Sequence, residues 1–141
     1  MTPYRLTILP GDGTGREVIS EAKRVIAVFE QFGPLSFDIT EIPCGGQHYL
    51  DTGEEWPDGS FEHCRDNSDA IIVGAVGWPG AKLPNGDIAG GQVLLGLRSA
   101  LNLYANVRPV KLFPGVHHKV HGMHKDIWDP DLVDMVLVRE N

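Results

Sequence analysis

A glycine-rich turn between a predicted strand and a predicted helix constrains the fold of this chain more than any other sequence feature. Residues 4–9 (YRLTIL) alternate in polarity, which predicts a β-strand. Residues 16–32 predict a helix with one apolar stripe, formed by Val18, Ile19, Ala22, Val25, Ile26 and Phe29. The turn between them is residues 10–15 (PGDGTG). A strand that leads directly into a helix is a typical unit of α/β proteins.

Strand and helix patterns continue to alternate along the chain. They predict strands over residues 37–42, 70–76, 105–113 and 133–138, a short helix capped by Ser60, and a longer helix over residues 93–103. Residues 45–53 are expected to form a connecting loop. The run 70–76 (AIIVGAV) is continuously apolar, which is typical of a strand covered on both faces. The sequence therefore predicts an α/β protein with an open, mostly parallel sheet and flanking helices.

A change of composition between residues 102 and 108 predicts a domain boundary. The helical signal fades there, and strand and loop patterns follow. We therefore divide the chain into a first part, residues 1–104, and a second part, residues 105–141. The second part is too short to bury a core of its own, which predicts that it belongs to something longer.

Composition and charge exclude several kinds of partner. The 141 residues are 42% apolar and 22% charged, which is ordinary for a globular protein, and their net charge is −7. Nucleic acid is not expected as a partner, because phosphate binding requires a basic surface. No apolar run is long enough to span a membrane, and the first residues lack the apolar stretch of a signal peptide. Two cysteines do not form a disulfide framework, so we expect a cytoplasmic protein with reduced thiols.

Two glycine-rich segments are candidates for ligand contact. In the first, Arg16 stands where the dinucleotide fingerprint G-x-G-x-x-G requires its third glycine, and no P-loop lysine follows. The 10–15 turn is therefore either a tight connection or a loop that approaches a ligand. The second segment, residues 77–91, follows a predicted buried strand at the sheet edge where open α/β folds bind ligands. Trp78 in this loop has two interpretations, stacking on a ligand ring or packing on the loop itself.

Three arginines stand in apolar surroundings. Arg98 lies among the leucines of the predicted 93–103 helix, and Arg108 and Arg139 lie in predicted strands. An arginine in such a place needs a carboxylate or a phosphate as its partner. The partners are either acids of the chain itself, such as Asp134 and Glu140, or the acidic groups of a bound ligand.

A histidine cluster close to the carboxyl end is a weaker candidate. His117, His121 and His124 have the spacing of one helix face, and imidazole binds metal ions. Gly122 interrupts any such helix, and Lys119 adds repulsive charge. An exposed basic loop is therefore the favoured interpretation.

Taken together, these stretches resemble the metal-dependent β-decarboxylating dehydrogenases, which act on isopropylmalate, isocitrate, homoisocitrate, tartrate or D-malate. The family's motifs occur in order and cover almost the whole chain. They are LPGDGTGREV (9–18), a Gly-Gly pair with D-x-G downstream (45–53), a Cys followed by DAIIVGAVGWP (64–79), LLGLR (94–98), ANVRPVKLFPG (105–115) and MVLVREN (135–141).

The resemblance implies an amino-terminal portion of an NAD-dependent enzyme that also uses Mg²⁺ or Mn²⁺. In the family, the catalytic tyrosine and lysine and the metal-binding aspartates lie beyond the motif that ends at Asn141, so no catalytic or metal residue is assigned here. The resemblance implies substrate-binding roles for Arg98, Arg108, Arg139, Leu94 and Leu95. It implies cofactor-binding roles for Asp12, Gly13, Gly77, Trp78, Pro79 and Gly91. It also implies a homodimer for the full-length enzyme, an inactive 141-residue chain, and exposed strand edges prone to aggregation.

The expected substrate is a small 2-hydroxy diacid such as tartrate or D-malate. Isopropylmalate enzymes usually carry an acidic residue shortly before the Leu-Leu pair, whereas this chain has Gly90, Gly91 and Gln92 there. Isopropylmalate is the main alternative, because Leu94 and Leu95 suit an isopropyl group. Isocitrate is less favoured, since Val93 is neither serine nor threonine. Two other classes remain open: an inactive dicarboxylate-binding module, and a metal-binding module built on the histidine cluster.

Overall fold

The computed structural model describes residues 2–120, 123–125 and 128–140. The chain forms two compact units, Met1–Leu101 and Asn102–Asn141, which we call unit 1 and unit 2. Each is described by itself below.

Unit 1 is built on a parallel three-stranded sheet. The strands are β1 (Tyr4–Leu9), β2 (Phe37–Glu41) and β3 (Ala70–Val73), in the order β2-β1-β3. The helices are α1 (Thr14–Phe32), α2 (Gly46–Thr52), α3 (Ser60–Asp66) and a π-helical turn (Gln92–Gly96) that runs into α4 (Leu97–Ala100). The predicted α/β class with parallel strand pairing is confirmed.

The core lies on both faces of β1. Leu6 and Ile8 are buried on one face, where they pack with Ile19 of α1. Leu9 is buried on the other face, in a cluster whose other buried members are Ile42, Cys44, Cys64, Val93 and Leu97. A central parallel strand needs apolar side chains on both faces, because helices cover both sides of the sheet. Burial raises the pKa of the Cys44 thiol to about 11, as expected for a structural cysteine.

The predicted apolar stripe of α1 is only partly covered by unit 1. Ile19 is 3% exposed. Val18, Val25 and Phe29, by contrast, are 62%, 55% and 56% exposed. The helical spacing predicted the helix correctly, but unit 1 buries only part of the predicted apolar stripe.

The turn after β1 and the chain after β3 approach each other so closely that they require glycine. A Cβ on Gly11, whose φ is +71°, would lie 2.1 Å from the Ala75 carbonyl oxygen. A Cβ on Gly74 would lie 2.1 Å from the Pro10 carbonyl oxygen. The Asp12 backbone N–H donates to the Ala75 carbonyl at 2.6 Å. The PGDGTG turn therefore needs glycine first of all because its backbone lies against the backbone of the segment after β3.

The Asp12 carboxylate joins three segments of unit 1. Asp12 is only 2% exposed, and it follows β1. Its carboxylate accepts hydrogen bonds from the backbone N–H groups of Gly46, Gln47 and Gly77, each at 2.8 Å. Gly46 and Gln47 begin α2, which has no capping side chain of its own. Asp12 therefore satisfies the free donors at that helix start from 34 residues away in sequence.

Several element predictions for unit 1 need correction. The predicted 45–53 loop contains α2, whose start depends on the distant Asp12 and so gave no local signal. Ser60 does not cap α3: Gly59 stands at the cap position, and the Ser60 hydroxyl donates to the Pro57 carbonyl instead. The strand predicted to reach residue 76 ends at Val73, and the helix predicted to reach residue 103 ends at Ala100.

Unit 2 contains two antiparallel strand pairs. Strand β4 (Ala105–Lys111) pairs with β7 (Asp134–Glu140), and β5 (His118–Val120) pairs with β6 (Met123–Lys125). A 3₁₀ turn (Pro130–Leu132) is capped by Asp129, whose carboxylate accepts from the Asp131 N–H at 3.0 Å. The prediction of a basic loop around the histidines is wrong, because β5 and β6 occupy that segment. The predicted metal face needs His121 and the His124 side chain, which lie outside the residues described.

Unit 2 leaves both faces of the β4–β7 ladder open within the unit. Val107 and Val138 are directly opposite each other and are 59% and 69% exposed. On the other face, Leu137 is 54% exposed. The expectation that the isolated chain aggregates therefore stays a prediction with a defined apolar surface behind it.

We expect Gly11→Ala to destabilise the complete protein more than Gly53→Ala does. Both glycines have positive φ (+71° and +84°), so both substitutions carry the backbone cost of about 1–2 kcal/mol. Only at Gly11 does the new Cβ also meet a backbone carbonyl, since nothing lies within 4 Å of a Cβ on Gly53. This overlap should add roughly 1–3 kcal/mol. Urea denaturation measures the difference, and equal losses would contradict the close approach.

We expect Asp12→Asn to lower the free energy of unfolding by about 3 kcal/mol, because one carboxylate oxygen becomes an NH₂ group that faces a backbone donor. Asp38→Asn on the exposed strand β2 is the matched control and should change stability by less than about 0.5 kcal/mol. The same denaturation experiment compares them. A neutral Asp12→Asn would show that the three hydrogen bonds do not hold the segments together.

Candidate functional site

The candidate site of unit 1 lies at the sheet edge where β1 and β3 end. The 10–15 turn, the start of α2 and the 77–91 loop meet there around Asp12. Both oxygens of the Asp12 carboxylate are engaged by backbone donors. Asp12 was predicted to bind the cofactor, and in the structure its carboxylate is hydrogen-bonded to the backbone of two neighbouring segments. Its direct contact with a cofactor stays a prediction.

Trp78 packs on the glycines of this edge. A Cβ on Gly13 would lie 3.6 Å from Cζ3 of Trp78, and a Cβ on Gly46 would lie 2.7 Å from the Trp78 Cβ. Of the two interpretations from sequence, packing on the loops is the one that the geometry supports. Trp78 remains 39% exposed, so part of its ring is still open to a ligand.

The 77–91 loop is folded on itself. Lys82 and Ile88 form an antiparallel bridge, and the Ala89 N–H donates to the Ala81 carbonyl at 3.0 Å. Ala81 and Ala89 are fully buried. A loop that makes its own hydrogen bonds and buries two alanines has a defined shape, as a ligand-binding loop requires.

An apolar pocket of about 370 Å³ opens between this loop and the helix that follows it. It is lined by Val76, Gly77, Pro79, Ile88, Ala89, Gly90, Gly91, Leu94 and Leu95. The pocket brings together three residues predicted to bind the cofactor, Gly77, Pro79 and Gly91. It also contains both leucines that were predicted to contact the substrate. These two sets, separated by several residues in sequence, share one concave surface.

Arg98 lies on α4, about one helical turn beyond Leu94 and Leu95. It is partly exposed. Among the described residues, no carboxylate lies within ion-pair distance of Arg98. Its guanidinium therefore has no acidic partner in the part of unit 1 that the structure describes.

Arg108 and Arg139 lie on one face of the β4–β7 ladder. Arg139 is opposite Asn106 and Arg108 is opposite Leu137, so the two arginines are diagonal neighbours on that face. The Arg108 Nε donates to the Asn106 side-chain oxygen at 3.1 Å. The nearby acid Asp134 pairs with Lys111, at 3.6 Å. For the residues described, the internal ion pairs that the sequence left open as an alternative are not formed.

Glu55 is a residue of this site that the sequence did not reveal. Its carboxylate accepts hydrogen bonds from the backbone N–H groups of Gly90 and Gln92, the latter at 3.4 Å. It therefore lies at the start of the helix that carries Leu94 and Leu95. In the sequence, Glu54-Glu55 has the pattern of an ordinary exposed acidic pair, and nothing local connects it with a segment 35 residues away.

No metal centre is evident in the described part of the chain. Within residues 2–120, 123–125 and 128–140, no three His, Cys, Asp or Glu side chains are grouped to hold an ion. No helix among these residues is long and apolar enough to cross a membrane.

Comparison with known proteins confirms the resemblance seen in the motifs. The family model described as isocitrate/isopropylmalate dehydrogenase matches residues 5–141. The 3-isopropylmalate dehydrogenase of Thermobifida fusca is 40% identical over 136 residues, which cover 96% of this chain and 36% of that protein. The 3-isopropylmalate dehydrogenase of Desulfitobacterium hafniense is 36% identical over 139 residues, covering 96% and 38%.

Solved structures agree with the sequence relatives. A β-decarboxylating dehydrogenase from Thermococcus kodakarensis, in its apo form, matches with a TM-score of 0.64 and 30% identity, over 98% of this chain and 34% of that one. An isocitrate dehydrogenase from Methylococcus capsulatus matches with a TM-score of 0.70 and 27% identity, over the same shares of 98% and 34%. The chain thus spans just over a third of the length of these relatives. It belongs to the isocitrate/isopropylmalate dehydrogenase family.

Proposed function

We propose that this chain forms the amino-terminal part of an NAD-dependent oxidative decarboxylase whose substrate is a 2-hydroxy diacid with an apolar substituent, as in 3-isopropylmalate. The relatives named above support the isopropylmalate alternative better than the tartrate or D-malate reading that the sequence favoured. That reading depended in part on the missing acidic residue before Leu94. The proposal rests on family membership together with the shape of one pocket.

The apolar pocket of unit 1 is the observation that carries the substrate class. Its walls come from Val76, Ile88, Leu94 and Leu95, and its volume is about 370 Å³. Tartrate and D-malate have no alkyl group to fill such a space. An isopropyl group would bury its methyls there, at roughly 0.8 kcal/mol for each CH₂ equivalent removed from water.

The three arginines are proposed to bind the carboxylates of the substrate. Arg98, Arg108 and Arg139 have no acidic partner among the described residues. A charge-assisted hydrogen bond from a guanidinium contributes roughly 1.5–3 kcal/mol, so even one of them influences affinity strongly. Arg108 and Arg139 share a face of unit 2, which suits joint contact with one anionic group.

The chemistry expected for the whole enzyme is oxidation followed by loss of CO₂. A hydride leaves C2 of the hydroxy acid for the nicotinamide of NAD while the C2 hydroxyl loses its proton. The resulting 2-oxo acid releases the carboxylate on the neighbouring carbon as CO₂, and that carbon then takes up a proton. In this proposal the 10–15 turn and the 77–91 loop flank the nicotinamide end of the cofactor. Mg²⁺ or Mn²⁺ is expected from the family, but the described residues do not group into ligands for it, and no step is assigned to a metal here.

The domain roles are part of the same proposal. Residues 1–104 would form the first part of the cofactor domain, and residues 105–141 would begin the substrate and dimerisation domain. The two compact units divide at Leu101 and Asn102, a few residues before that boundary. The full-length protein is proposed to act as a homodimer.

We expect Leu95→Ala to reduce the preference for isopropylmalate over D-malate by about tenfold, because it removes apolar surface that only the larger substrate uses. The preference is the ratio of kcat/KM values for NAD reduction, measured with the complete protein that the gene encodes. Leu50→Ala is the control, since Leu50 is similarly exposed (52% against 60%) and lies outside the pocket. Equal turnover of both diacids by the unaltered protein would argue against the substrate class.

We expect Arg98→Gln to raise KM for isopropylmalate and D-malate alike by about 10- to 100-fold, because both substrates carry the carboxylate that the guanidinium would bind. Arg24→Gln is the control, since Arg24 lies on the exposed side of α1 and pairs with Glu21. An unchanged KM would remove Arg98 from the site.

The 141-residue chain by itself is expected to reduce no NAD, and calorimetry with D-malate tests whether it is instead an inactive dicarboxylate-binding module.

A further inference from the structure

We propose that Glu55 is a specificity-determining positioning residue, whose carboxylate holds the 90–92 turn in place and thereby shapes the pocket of Leu94 and Leu95. The proposal deepens the function proposed above and rests on it. Glu55 need not touch the substrate, because it acts through the backbone to which it is hydrogen-bonded.

The first support is the position of the carboxylate at a helix start. The helix that begins at Gln92 has no capping side chain of its own. Gly91 already has helical backbone angles (φ −60°, ψ −39°), so Gly90 is where the chain enters the helix. The Glu55 carboxylate accepts from the N–H groups of Gly90 and Gln92 and thus provides the missing cap from another segment. A carboxylate at a helix start is also favoured by the helix dipole.

The second support is the tight contact that Gly90 makes in the pocket wall. Gly90 has a φ of +105°, and a Cβ there would lie 2.5 Å from Cγ1 of Val76. Gly90 and Val76 both line the pocket, as do Leu94 and Leu95 in the first helical turns. A shift of the 90–92 turn therefore moves the wall and the leucines together.

The third support is that Glu55 is itself fixed. Its backbone carbonyl accepts from the Gly45 N–H at 2.8 Å, and the next residue, Trp56, packs against the core cluster of Leu9 and Val93. Gly45 adjoins Gly46, which is bonded to Asp12. The backbone of Glu55 is held next to the core, and its carboxylate is bonded to the 90–92 turn. Glu55 therefore fixes the position of the turn relative to the core.

Asp12 and Glu55 together hold the two ends of the 77–91 loop. Asp12 accepts from the N–H of Gly77 at one end, and Glu55 accepts from the N–H of Gly90 at the other. Because both donors belong to residues that line the pocket, each carboxylate determines the position of one side of it. Asp12 also supports α2, whereas the side-chain hydrogen bonds of Glu55 go only to the turn among the described residues. A substitution of Glu55 therefore tests the 90–92 turn and the pocket without removing the support of α2.

The test compares Glu55→Ala, Glu55→Gln and Glu54→Ala in the complete protein, with isopropylmalate and D-malate as substrates. Glu55→Ala should lower kcat/KM for isopropylmalate more than for D-malate and so reduce their ratio by about tenfold. Glu55→Gln should keep the ratio within about threefold of the unaltered protein, because its amide oxygen still accepts hydrogen bonds. Glu54→Ala, at an exposed neighbouring position, should leave the ratio unchanged.

Amide hydrogen exchange gives a second measurement that needs no activity. The amides of Gly90 and Gln92 should exchange faster in Glu55→Ala than in Glu54→Ala, since only the first variant loses their acceptor. An unchanged substrate ratio in Glu55→Ala, equal losses in Glu55→Gln and Glu55→Ala, or unchanged exchange at these amides would each overturn the role of Glu55. If the unaltered protein oxidises none of the diacids, the proposed function fails, while the exchange measurement still decides whether Glu55 holds the turn.

Discussion

The hydrogen bonds of the Asp12 carboxylate hold together the loops at the edge of unit 1 where β1 and β3 end. The carboxylate is buried, and its charge is offset by three backbone N–H donors from two different segments. A carboxylate removed from water is stable only with partners of this kind. The bonds fix the start of α2 and the start of the 77–91 loop relative to the turn after β1. Gly11 and Gly74 are required because the backbone of the turn after β1 and the backbone after β3 approach each other to hydrogen-bonding distance.

This arrangement explains why the loops can form a site. The parallel sheet brings the ends of β1 and β3 to one edge, and Asp12 and Glu55 then hold the loops that leave it. Ligand-binding loops need such a scaffold, because a loop free to move loses binding free energy when it is ordered by a ligand. Gly77 and Gly90, which donate to these two carboxylates, both line the pocket between the loop and the helix of Leu94 and Leu95.

The carboxylate near the Leu94–Leu95 pair comes from a residue that is distant in sequence. The sequence has no acidic residue next to the Leu-Leu pair, and this favoured tartrate or D-malate. In the folded unit, Glu55 places a carboxylate on Gly90 and Gln92, close to that same pair. The observation from sequence was correct for the neighbouring residues, but it missed an acid that arrives from another loop. The apolar pocket and the relatives are the grounds for proposing a substrate with an alkyl group.

Local sequence patterns were enough to predict the α/β class, the strands β1, β2 and β4, the helix α1 and the glycine turn, because side-chain period and glycine positions depend only on neighbouring residues. The family resemblance also singled out five of the nine residues that line the pocket, namely Gly77, Pro79, Gly91, Leu94 and Leu95. Three features are visible only in the folded unit: the side of α1 that is covered, the helix at residues 46–52, and the hydrogen bonds of Glu55 to the 90–92 turn. Each of these features depends on contacts between residues that are distant in sequence. The hydrogen bond from the Gly77 N–H to Asp12, for example, joins residues 65 positions apart, and no local pattern encodes it. The starts of α2 and of the helix at Gln92 have no capping side chain of their own, and in the folded unit Asp12 and Glu55 accept hydrogen bonds from the free backbone donors there.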